Sequence, residues 1–233
     1  MLKAVLFDMD GVLFDSMPGH ALAWSKAMTQ FGLHMEPEEA YMNEGRTGAG
    51  TIHILARRYW GREATQDEID HIYAAKCVEY NRHFDRHGEA PIMPGAAAVL
   101  QRVREAGLMR VIVTGSAQES LLSRIDAAYP DMFSEELMVT AKDVRYGKPH
   151  PEPYLIGLHK AGVEAAEAIV VENAPLGVEA AKAAGIFTVA VNTGPLPDKA
   201  LLDAGADRLY PSMQALADDF VTLLNSLSEP VEG

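Results

Sequence analysis

The chain has 233 residues, 48% of them hydrophobic, a net charge of −13 and a pI near 5.0, enough to bury one large core or a core carrying an insertion. Nucleic acid and anionic membrane reward a basic face, so this balance argues against both as partners. The single cysteine, Cys77, cannot close an internal disulfide, no Cys/His pairing suggests zinc, and Met1-Leu2-Lys3 opens neither a signal peptide nor a spanning helix, so a reducing, cytoplasmic setting is expected.

Residues 3–7 form a short apolar run stopped by Asp8, the pattern of a strand buried on both faces of a parallel sheet. Residues 19–88 then hold no convincing strand. Within them Ile69, Ile72, Tyr73, Cys77, Tyr80 and Phe84 recur at spacings of three and four, which predicts one face of a helix opening near Asp67. The segment reads as a helical insert, entered after Ser16-Met17-Pro18 and left through 89–95, where proline and glycine recur. The expected partition is a core of 1–16 and 92–233 with a cap of 17–91.

From about residue 92 onward, short apolar runs at 111–113, 137–139, 168–171, 187–191 and 207–210 alternate with helix-like segments. This alternation predicts a doubly wound α/β domain whose ligands sit beyond the carboxyl ends of its parallel strands. A loose tail is expected after Ser226.

Asp8 and Asp10 lie two apart at the end of the first strand, and Gly11 permits the sharp backbone that exposes both to one ligand. Two such acids repel, and a divalent cation with a partly hydrated oxygen shell, Mg²⁺, relieves the repulsion. The tetrapeptide D-M-D-G alone also reads as an ordinary turn. Thr114-Gly115-Ser116 follows the strand at 111–113 and offers a hydroxyl and free amides to phosphate oxygens. Lys148, in G-K-P-H-P-E-P, is placed to neutralise Asp8 and a phosphoryl group, unless it is a surface lysine. Glu172-Asn173 ends the strand at 168–171 and adds a carboxylate and an amide carbonyl as metal ligands, although any single acid at a strand end is unremarkable.

Four polar clusters at four strand ends, in the order acid pair, hydroxyl, lysine, acid, resemble the haloacid dehalogenase (HAD) superfamily over essentially the whole chain. That resemblance implies a Rossmann-like core with an α-helical cap of the β-phosphoglucomutase-like branch. It implies Asp8 as nucleophile, Asp10 as general acid and base, Thr114 and Lys148 as phosphate-positioning groups, and Glu172-Asn173 as the second metal-binding loop. An acid at Asp10 eases departure of an oxygen leaving group, which halide does not require, so phosphoryl transfer is favoured over dehalogenation.

His20 and Lys76 match a histidine and a lysine of the β-phosphoglucomutase pattern and are candidates to face the substrate; alternatively His20 is a local helix-cap residue and Lys76 is solvated. The mutase's cap arginine matches Gly48 here, with Arg46 as its candidate substitute, and the mutase's Glu-Asp metal loop reads Glu172-Asn173. Losing that carboxylate weakens a hard-cation site, and Glu44, from the cap loop, is the expected replacement unless it is merely a solvated acid. The segments E-G-R-T-G and E-N-A-P-L-G resemble a HAD branch associated with inorganic pyrophosphate hydrolysis. The expectation is therefore a Mg²⁺-dependent hydrolase of a small phosphorylated substrate, with pyrophosphate leading. A mutase or sugar-phosphate phosphatase, or a catalytically silent phosphoryl-ligand sensor, are the alternatives.

Overall fold

The computed structural model describes residues 1–116 and 121–228. Among them, six strands form one parallel sheet: β1 (Ala4–Phe7), β2 (Met109–Val113), β3 (Met138–Val139), β4 (Ala168–Glu172), β5 (Phe187–Val191) and β6 (Arg208–Tyr210), in the spatial order β3-β2-β1-β4-β5-β6. The six apolar runs read from the sequence are these six strands. The chain order reverses at β1, between β2 and β4, which is where a doubly wound sheet opens its ligand crevice.

The strands are apolar on both faces because both faces are covered. Val5 and Phe7 of β1, with Ile169 and Val171 of β4, point into one core layer. There they meet α5 (Ala96–Glu105) and α10 (Met213–Ser228) through Val99, Val103, Leu216 and Phe220. Ala4 and Leu6, with Val170, point into the opposite layer against Tyr154 and Leu158 of α7 (Glu152–Ala161) and Ala180 and Ala181 of α8 (Pro175–Ala183). α6 (Leu121–Ala128) and α9 (Asp198–Asp203) complete the flanking helices. α10 continues through Ser228, two residues past the point after which a loose tail is expected, and the remainder of that expectation lies outside the described residues.

Between β1 and β2 the chain forms α1 (Met17–Gln30), α2 (Pro37–Met42), α3 (Gly48–Trp60) and α4 (Gln66–His87), which share an apolar cluster of their own around Met28, Leu33, Ile52, Leu55 and Ile72. α4 opens one residue before the expected Asp67. Its cap is Thr65, whose hydroxyl accepts from the Glu68 amide while the Glu68 carboxylate accepts from the Thr65 amide at 2.8 Å, a reciprocal capping box. Ile69, Ile72 and Tyr80 on its predicted face are buried, and Tyr73, Cys77 and Phe84 are half-buried. The two crossings between insert and core run side by side. The Asp15 amide donates to the Pro91 carbonyl and the Met93 amide to the Leu13 carbonyl, each at 2.9 Å.

Candidate active site

Strand register delivers the first half of the site. Phe7 stands opposite both Ile112 and Val171, so the next residues, Asp8, Val113 and Glu172, reach the carboxyl edge together. Lys148 rises beneath them, with its Nζ 2.5 Å from Asp8 Oδ1, 2.5 Å from Glu172 Oε1 and 3.2 Å from the Val113 carbonyl. It is 2% exposed and therefore not a surface lysine. Burial alone would lower its pKa, but the charges of Asp8 and Glu172 prevail and hold it firmly protonated. Burial, reinforced by the charges of Glu172 and Asp10, pushes Asp8 up to about 8 against the pull of Lys148.

Glu172, expected as a metal ligand, is committed elsewhere. Its Oε1 accepts from Lys148 and from the Tyr154 hydroxyl at 2.7 Å, and its Oε2 accepts from the amides of Asn173 and Ala174 at 3.0 and 3.2 Å. The carboxylate lies so tightly against the start of α8 that a Cβ on Gly177 would fall 1.8 Å from Oε1. Glu172 thus braces the lysine. Sequence reasoning missed Tyr154 and the need for glycine at 177. The available signal was a tyrosine on the lysine-bearing segment whose hydroxyl, once buried, demands a partner.

The loop after β1 and the insert together supply the second half. Asp10 accepts from the Ser16 hydroxyl, and His20 Nε2 stands 3.4 Å from its Oδ1. Lys76 Nζ lies 3.0 Å from His20 Nδ1. An ammonium only donates, so Nδ1 accepts and the His20 proton sits on Nε2, facing Asp10. Lys76 is 5% exposed, held among the rings of Tyr80, Trp24 and Tyr73. Ser16, not His20, stands at the cap position of α1, and Lys76 is buried rather than solvated. Burial and Lys76 lower the His20 pKa, keeping the ring neutral. Burial would raise Asp10, but His20 and the hydrogen bonds from His20 and Ser16 outweigh it and hold Asp10 well below the usual carboxylate range. Asp10 is therefore held ionised, accepting from Ser16 and facing the His20 ring.

Both halves enclose a cavity of about 80 Å³ walled by Asp8, Asp10, His20, Glu44, Arg46, Lys76, Gly115 and Ser116. Thr114 does not wall it. Its buried hydroxyl accepts from the Ser116 amide at 3.1 Å, shaping the loop from behind. Glu44 is 8% exposed, so it is not a solvated acid, and both its oxygens stand 3.0 Å from Asn173 Nδ2. Burial and the charge of Asp8 raise its pKa well above the ordinary value. Arg46 is half-buried, and its Nε is buried without a hydrogen-bond partner. A side chain at Gly48 would meet the Tyr73 ring 2.5 Å from its Cβ, so the mutase-type arginine has no room there.

A model of the haloacid dehalogenase-like hydrolases matches residues 2–185, about four-fifths of the chain. The chain belongs to that family. A solved structure from Bacteroides vulgatus, described as a candidate beta-phosphoglucomutase, is 54% identical over 98% of this chain and 91% of its own, with a TM-score of 0.93. Hexitol phosphatase A of Escherichia coli K12 is 32% identical over 82% of this chain and 83% of its own length. Phosphoglycolate phosphatase of Rhodospirillum rubrum is 30% identical over 100% and 94%. The chain is a phosphatase-type enzyme on the β-phosphoglucomutase-like branch. Among the described residues, no helix is long and apolar enough to cross a membrane.

For this hydrolase the expected ligand set of Asp8, Asp10, Glu44, Glu172 and Asn173 is not assembled as one cluster. Among the described residues, no three His, Cys, Asp or Glu side chains stand together as a ready metal site. The donor chemistry nevertheless fits a hard cation. Asp8, Asp10 and Glu44 bring carboxylates to one cavity, and the Asn173 Oδ1 is buried without a hydrogen-bond partner. Rotation of that amide exchanges Nδ2 for Oδ1 and offers an oxygen ligand of the kind Mg²⁺ takes.

Proposed function

We propose that this hydrolase removes a phosphoryl group from a small phosphorylated substrate through an aspartyl-phosphate on Asp8, and that the substrate is inorganic pyrophosphate. The observation that carries the reading is Glu44, an acid from the insert buried in the cavity that Asp8 walls. A carboxyl group there takes space where a sugar would otherwise lie. The cavity, about 80 Å³, holds several waters. That volume suits a compact inorganic leaving group better than a hexose.

In the first half-reaction an Asp8 oxygen attacks phosphorus in line, and the bridging oxygen leaves with its electron pair as phosphate. Lys148 offsets the charge on Asp8 and on the transferring group. Glu172 and Tyr154 hold that ammonium in place. In the second, Asp10 takes a proton from water as the water attacks the phosphorus of the aspartyl-phosphate, returning Asp8 and releasing phosphate. The neutral His20, steadied by Lys76, directs its Nε2 proton at Asp10 and fixes the rotamer of that base. Asp8, Asp10, Glu44 and Asn173 would hold Mg²⁺, which supplies charge neutralisation at the phosphoryl oxygens.

A second reading, a phosphatase of small organic phosphates such as sugar phosphates, is favoured by the names of two relatives, hexitol phosphatase A and phosphoglycolate phosphatase. Phosphate release from pyrophosphate, phosphoglycolate and hexose phosphates with Mg²⁺, with Asp8→Asn as the blank, decides between them. Pyrophosphate as the best substrate supports the first reading. A hexose phosphate or phosphoglycolate preferred over it supports the second. Formation of glucose 6-phosphate from β-glucose 1-phosphate would instead identify a mutase.

A further inference from the structure

Three glycines meet where the insert touches the core. Gly45, next to Glu44, lies against the alkyl stem of Lys148; a Cβ there would stand 2.7 Å from Lys148 Cδ. On the core side, a Cβ on Gly115 would stand 3.2 Å from the Gly45 carbonyl oxygen. A Cβ on Gly147 would stand 2.6 Å from the Thr47 methyl carbon and 3.1 Å from the Thr47 amide nitrogen. The cap loop therefore rests against both core loops that carry the phosphoryl-site groups, one through Thr114-Gly115-Ser116 and the other through Gly147-Lys148. The backbone separates the roles of these glycines. Gly45 has φ +82°, whereas Gly115 and Gly147 are not among the glycines with positive φ. An alanine at 115 or 147 strains no backbone, so glycine is there for the contact alone.

Thr47 cannot withdraw. Its hydroxyl accepts from the Gly50 amide at 3.2 Å and caps α3, which fixes the side chain and sends its methyl toward Gly147. Any atom added at 147 must lift the loop rather than rotate a flexible chain end. Glu44 lies three residues before Thr47 on the same loop.

We propose that Gly147 is a specificity-determining residue that acts through Thr47: its bare Cα lets the cap loop seat fully, which holds Glu44 in the cavity and excludes large leaving groups. The inference rests on the small-substrate reading above and adds the element that enforces it. Neither Gly147 nor Thr47 touches the reacting atoms.

The test compares kcat/KM for pyrophosphate with that for glucose 6-phosphate in wild type, Gly147→Ala, Thr47→Ser and the double variant. Gly147→Ala should lower the ratio of small to large substrate by about tenfold or more, as an overpacked contact opens the site. Thr47→Ser removes the methyl and keeps the capping hydroxyl, so in the alanine background it should restore most of the ratio. Restoration by deleting the one facing methyl on the cap loop is a result that a general folding defect would not give. An unchanged ratio in Gly147→Ala overturns the proposal, as does a uniform loss on both substrates that Thr47→Ser fails to relieve. A wild type that ignores pyrophosphate defeats pyrophosphate as the substrate only; the ratio is then taken between phosphoglycolate and glucose 6-phosphate, and the same outcomes decide the role of Gly147.

Discussion

The two halves of the site are built differently. On the core side, Asp8, Lys148, Glu172 and Tyr154 are buried, and Glu172 has partners for both oxygens. Where the insert loop meets the core, the Glu44 carboxyl pairs with the Asn173 amide, and among the described residues the buried Asn173 Oδ1 and Arg46 Nε have no hydrogen-bond partner. A satisfied buried network is rigid and specifies one geometry, whereas unsatisfied groups at a cavity await a ligand. The core half is thus organised for a fixed chemical step, which His20 and Lys76 of the insert serve at Asp10, and the Glu44 loop of the insert for deciding what enters.

Breaking the core half should have the largest effects. Asp8→Asn should cut turnover by about 10⁴-fold or more, as loss of a nucleophile does elsewhere, measured as phosphate release on the best substrate. Lys148→Met leaves Asp8 and Glu172 buried without their cation and should cost about 3–5 kcal/mol of stability, read from urea unfolding, together with most of the activity. Tyr154→Phe removes one donor to Glu172 and should cost about 1–3 kcal/mol, with turnover lowered far less than by Lys148→Met.

The insert half should respond in the opposite sense. Glu44→Gln should raise the Mg²⁺ concentration for half-maximal activity by about tenfold or more. Stability measured in a chelator should stay level or rise, because a carboxylate buried against the charge of Asp8 is gone. The smallest effect concerns pH. The folded His20 has a pKa below its ordinary 6.5, so the unfolded chain binds the proton more tightly. Stability therefore falls as pH drops below about 6.5, by at most about 1.4 kcal/mol per pH unit for one proton. His20→Asn should flatten that slope, as seen in chemical denaturation between pH 7 and 5.

The core half was also the more legible from sequence. A run such as Ala4–Phe7, apolar at every position and ended by an acid, announces both a two-faced buried strand and the polar group at its carboxyl end. The start of β2 was missed because Met109 and Arg110 are only half-buried, with the Arg110 Nε donating to the Met132 carbonyl. Glu172 was given a metal to bind because an acid at a strand end looks the same whether it faces a cation or a lysine. What separates the two cases is a tyrosine 18 positions away and a glycine that lets α8 approach. The Glu44 to Asn173 contact spans 129 positions and joins two loops. No local periodicity encodes such a meeting; only the docking of insert on core creates it.

The most direct test of the division between chemistry and choice is a pair of kcat/KM values, for pyrophosphate and glucose 6-phosphate, in wild type and Glu44→Ala at saturating Mg²⁺. The account predicts that wild type prefers pyrophosphate and that Glu44→Ala, with the space opened, loses this preference while still turning over glucose 6-phosphate. A wild type that favours glucose 6-phosphate, or a Glu44→Ala variant that loses both activities equally, would contradict it.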